Sequence, residues 1–231
     1  MEKFYKEVDV RSDGAGFVVC LDGKPLKTPA GVDVHLSALK LADALAAEWR
    51  GQAARFDANA LALTRIINTG LDHVGPNRDK ITGELIRFGQ SDAICYRASG
   101  PDALVDRQAR QWQPLLDWSR DVLQAPLEVT TGIQFVSQPT ASLTALRRHI
   151  ALHDDIALAA LHEAVSLCGS LVIGLALSHQ RLDWPAAWAA ARVDEVWQME
   201  NWGSDDAAVR QAEARKVALR LAALVLEACR P

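Results

Sequence analysis

Between Asp183 and Arg210 the chain sets two glutamates, Glu195 and Glu200, among four of its seven tryptophans, with an arginine and a methionine close by. Two carboxylates could serve as a general acid and base, but a working pair must meet at one substrate. These two are five residues apart, so at 100° per residue they point to different sides of a helix. Glu195 shares its side with Trp188, Arg192, Met199 and Trp202, whereas Glu200 falls with Val193, Val196 and Trp197. An acid among indoles, a thioether and a guanidinium has the composition of a protein-interface hot spot rather than of a catalytic cleft. Its carboxylate would fix register by meeting an Arg, a Lys or a backbone N–H of a partner. Glu200, alone on an apolar face, needs a cation, and Arg210 or Arg215 is the expected one.

Other chemistry is less well supplied. His149 and His153 stand at i and i+4, the spacing of two ligands on one helix face, but Ile150 occupies the position where a zinc HExxH motif needs its Glu, and no third ligand is evident. A small-molecule enzyme using Glu200 or this histidine pair is the rival reading, and a scaffold for a different protein is another. There is no GxSxG elbow, no GxGxxG after a strand and no GxxxxGK[ST] loop, and Asp13 to Gly16 reads as a hairpin turn. No cofactor or metal is expected. Cys20, Cys95, Cys168 and Cys229 are far apart in sequence and show no CxxC, which fits reduced thiols. A net charge of -4 with scattered basic residues argues against nucleic acid as a partner. The apolar run Val165 to Leu177 is too short to span a bilayer.

The elements that carry these residues divide the chain. Residues 1–75 read as a small β-rich antiparallel domain with one helix. Val8 and Val10 alternate, as do Phe17, Val19 and Leu21, with turns at Asp13-Gly14 and Asp22-Gly23 and a last strand from Val32 to Leu36. Ser37 is the expected cap of a helix repeating Leu41, Leu45 and Trp49. Residues 76–231 read as an all-helical domain, so the fold class is α+β. Pro114 predicts a kink or break in the helix opened by Pro101, and Gly169 and Gly174 predict close helix contact. A helix capped by Asp183 with Pro185 in its first turn is expected to run unbroken to Trp202 and stop at Gly203. Ser204 is the expected cap of the last helix.

Several ordered segments together resemble the ATP12 family, the assembly chaperones of the F1 sector of ATP synthase. They are FYKEVDV and GFVVCLDGKPLKTPAG near the start, LALTRIINTGLDHV at 61–74 and DAICYRA at 92–98. The spacing of Gln108, Trp112, Pro114, Leu115 and Trp118 and the segment DEVWQMENWGSDDAAVR at 194–210 complete the set. The resemblance covers nearly the whole chain. It implies a β-rich domain followed by a helical one, binding to the unassembled F1 alpha subunit, and no ATP hydrolysis; the free chain is expected to be a monomer. It also implies a functionally important acid in the C-terminal signature, which maps to DEVWQME with Glu195 ahead of Glu200. Mitochondrial members carry a presequence; its lack here implies a bacterial, cytoplasmic member.

Overall fold

The computed structural model describes residues 2–57, 60–203 and 205–230. An antiparallel sheet comes first and helices follow, so the architecture is α+β. By packing, the chain forms two compact units. One comprises Met1–Arg78 with His153–Ala160 and Leu224–Pro231, the other Asp79–Leu152 with Leu161–Ala223.

In the first unit, β1 (Val8–Ser12) pairs along its whole length with β2 (Phe17–Leu21), Val8 opposite Leu21 and Ser12 opposite Phe17. The second edge of β2 is shared by two short strands: β3 (Lys24–Pro25) takes the end at Cys20 and Leu21, and β4 (His35–Leu36) takes the end at Phe17 and Val18. The alternation buries Val19 and Leu21 against α1 (Leu39–Arg50), whose Leu41, Leu45 and Trp49 supply the facing stripe. Ser37 does not cap this helix; Ala38 holds the cap position without a side-chain bond. Glu48 of α1 instead accepts from the N–H groups of Leu63 and Thr64 (2.7 and 2.8 Å), satisfying free donors at the start of α2 (Ala62–Thr69). A π-helical turn, Gly70–Val74, leads to α3 (Gly75–Gln90).

The second unit is organised on α4 (Asp102–Asp121), α5 (Thr140–Ala151), α6 (Asp155–Cys168) from Leu161 onward, α7 (Leu171–Ser178), α8 (Trp184–Ala191), α9 (Val193–Trp202) and α10 (Asp206–Ala228) as far as Ala223. Two short parallel strands, β5 (Tyr96–Arg97) and β6 (Thr130–Thr131), pair beside them. Helix α4 is one unbroken helix through Pro114. Pro114 lies on its exposed side, where water can reach the carbonyl that the missing N–H would have bonded. Gly174 does permit close contact, since a Cβ there would overlap the side chain of Val165. Gly169, at φ +66°, ends α6 in the left-handed region.

Asp92, fully buried, ties the segment before β5 to the start of α7. It accepts from Val172 N (3.0 Å) and Ile94 N (3.3 Å), and Ser170 hydrogen-bonds its side chain. Burial outweighs these bonds and pushes its carboxyl up to about 6. Burial likewise pushes Cys95 and Cys168 up to about 12, so both are inert thiols. Among the described residues no helix is long and apolar enough to cross a membrane.

Candidate protein-binding site

The expected single helix from Trp184 to Trp202 is two helices. Asp183 caps the first, accepting from Ala186 N at 2.9 Å. The helix breaks at Arg192 (φ -120°, ψ 21°), and Gly203 at φ +81° ends the second. No glycine or proline marks the break, so nothing in residue type announced it. A helical wheel drawn through 184–202 does not hold across Arg192, and the expected five-residue face is divided.

Arg192 still links the two pieces. Its guanidinium lies over the Trp188 ring, 4.9 Å from the centroid, and its Nη2 is 3.6 Å from Met199 Sδ. Arg192, Glu195 and Met199 form one wall of a cleft of about 290 Å³, and Ala208, Ala212 and Arg215 of α10 form the other. Glu195 is half-buried in it and, among the described residues, has neither an ion pair nor a hydrogen bond. Both cations of the cleft are engaged elsewhere: Arg192 on Trp188, and Arg215 through a 2.7 Å bond to the carbonyl of Leu167. The expected cap Ser204 lies outside the described residues; Asp205 accepts from Ala208 N at 2.7 Å.

Glu200 is different. Neither Arg210 nor Arg215 is its partner: Arg107 of α4 donates to it at 2.8 Å and stacks on the Trp197 ring at 5.1 Å. The bond from Arg107 holds the Glu200 carboxyl below the usual carboxylate range. The distance from Arg107 to Glu200 in sequence explains why only the local arginines came into view. Trp202, 77% exposed, lies apart from Glu195. With Trp197 it lines a second hollow, completed by Tyr96, Pro101, Leu104 and Ile133. Helix α9 thus has a cleft on one flank and a groove on the other.

What fixes α8 and α9 is a polar network that sequence reasoning did not find. Trp112 Nε1 donates to the carbonyl of Ala190 at 2.8 Å. Gln108 Nε2 donates to Asp194 at 2.7 Å, while its Oε1 accepts from Ala98 N at 2.8 Å. Gln108 recurs at helical spacing among apolar residues, and a buried amide needs all its partners. That was the available signal.

Helix α5 ends at Ala151, so of the two histidines only His149 is part of it and His153 follows its C-terminus. His149 packs edge-on against His179 at 5.1 Å, and burial lowers its pKa. Among the described residues no group of three His, Cys, Asp or Glu side chains could hold a metal ion.

Residues 2–120 match the family described as ATP12 chaperone protein. The crystal structure of Atp12 from Paracoccus denitrificans is similar at 39% identity, covering 99% of this chain and 98% of that one, with a TM-score of 0.90. A protein of Agrobacterium tumefaciens matches at 38% identity and TM-score 0.92, over 98% of this chain and 85% of that one. Mitochondrial atp12 of Schizosaccharomyces pombe is 24% identical over 214 residues, 87% of this chain and 74% of the relative.

Proposed function

The chain belongs to the ATP12 chaperone family, and from that membership we propose that it binds the unassembled F1 alpha subunit of ATP synthase and covers the surface that the beta subunit later buries. It is not an enzyme. An orphan subunit exposes apolar interface that aggregates or pairs wrongly, and a cover on that surface prevents both. Without ATP to drive release, the chaperone leaves by competition, so its affinity stays below that of the final partner.

The observation that carries this reading is Glu195: a half-buried carboxylate with no partner among the described residues, in a cleft beside exposed Met199. An acid held that way is satisfied when a partner brings a donor. Arg192 and Trp188 frame the contact, and Trp202 offers apolar surface on the other flank of α9. Glu200, already paired with Arg107, takes part by shape rather than by charge.

Glu195→Lys tests the reading. The variant keeps its circular dichroism spectrum and melting temperature, because no internal bond is lost. Its affinity for purified alpha subunit falls by about tenfold or more, the scale of a charged contact turned repulsive. Unchanged capture by the folded variant would refute the assignment.

A further inference from the structure

The groove on the other flank of α9 has a cation at its base whose donors are only partly used. Arg97 Nη1 donates to the carbonyl of Gln108 at 2.8 Å, and the guanidinium lies over Trp112, 5.1 Å from the ring centroid. Its Nε and Nη2 are buried and, among the described residues, have no acceptor. Among the described residues the nearby acids are bonded to other groups: Asp194, on the groove wall, accepts from the Gln108 amide, and Glu200 is paired with Arg107. Arginine keeps its charge even when partly buried. The guanidinium therefore has no ion pair among the described residues and two unspent N–H groups, which a carboxylate of a bound segment would satisfy in a forked pair.

The walls are apolar. Tyr96, Leu104, Trp197, Trp202 and Ile133 line the groove, and Ile133 is fully exposed at its mouth. Its volume of about 380 Å³ suits a few side chains of an extended segment rather than a helix roughly 10 Å across. We propose that this groove docks an extended segment of the client subunit, whose apolar side chains lie on Trp202 and Ile133 and whose carboxylate draws the Arg97 guanidinium off Trp112 into a forked pair. This rests on the reading that the chain holds an unassembled F1 alpha subunit, and it adds a second contact, of opposite charge preference to that of Glu195.

The test titrates purified alpha subunit against the full chain and four variants, Arg97→Met, Arg97→Lys, Ile133→Asp and Ile133→Lys. Arg97→Met binds about tenfold or more weakly, the loss expected of a charged hydrogen-bonded pair, and Arg97→Lys falls between it and the unsubstituted chain. Ile133→Asp binds more weakly than Ile133→Lys, because a negative charge at the mouth repels an acidic segment. Both Ile133 variants melt with the unsubstituted chain, since that side chain packs on nothing, so they keep the test open if Arg97→Met fails to fold. Folded Arg97→Met or Ile133→Asp binding at full strength would overturn the groove while leaving the Glu195 reading standing, and Ile133→Lys as the weaker of its pair would overturn the acidic occupant. An unsubstituted chain that does not bind alpha subunit removes the reading and the groove together.

Discussion

Helices α7 and α9 lie in the same unit, and neither has a single apolar stripe. Helix α7, LVIGLALS, buries every residue from Leu171 to Leu177. Helix α9, VDEVWQMENW, buries only Val193, although it also carries Val196, Trp197, Met199 and Trp202. Apolar residues all round a helix with no acid among them mean enclosure by the protein's own core. The same kind of distribution interleaved with Asp194, Glu195 and Glu200 cannot be enclosed without stranding charge, so the large side chains stay near water. The difference separates apolar surface kept for packing from apolar surface left available to another chain.

The comparison breaks most readily at its core side. Leu175→Ala should cost about 2–5 kcal/mol in urea unfolding, the range for a buried leucine that leaves a cavity. Met199→Ala should change the same measurement by less than about 0.5 kcal/mol, as surface substitutions do. Equal losses would mean that α9 is core after all. Asp92, which anchors the start of α7, gives the next effect. Its folded pKa of about 6 exceeds the ordinary 3.8, so its contribution to stability is fully present below pH 4 and is lost as pH rises through 6. Two units amount to about 3 kcal/mol. Unfolding free energy followed from pH 4 to 7 should therefore fall relative to Asp92→Asn, which has no such titration. Parallel curves would show that the carboxylate is not paying for its burial.

Much of the fold was legible because it is written in local patterns. Alternation at Val8, Val10, Phe17 and Val19 and the four-residue repeat of Leu41, Leu45 and Trp49 are short-range facts, and each became the element it predicts. The Asp183 cap and the Gly203 stop are equally local. The break at Arg192 was not legible, since no residue there is a helix breaker and the departure is one of backbone angle alone. The pairing of Glu200 with Arg107 was hidden because charge partners are set by tertiary approach, which helical spacing does not report. The Arg97–Gln108–Asp194 network was hidden for the same reason: it joins three segments. In the candidate site, sequence therefore located the acids and the indoles but could not sort them between the two flanks of α9.

The smallest effect sharpens the comparison at its surface side. Arg107 and Glu200 meet at 2.8 Å, but both are open to water, where the attraction is screened and ordering two long side chains opposes it. Arg107→Ala also removes the cation stacked on Trp197. Helix α9 keeps its Gln108–Asp194 bond, and α8, ahead of it, keeps the Trp112 bond to Ala190; neither depends on Arg107. The melting temperature of Arg107→Ala should therefore stay with that of the unsubstituted chain at low and at high salt. A clear drop at low salt that vanishes at high salt would show that α9 is held in place by a surface charge pair, and its openness could then no longer be set against the sealed packing of α7.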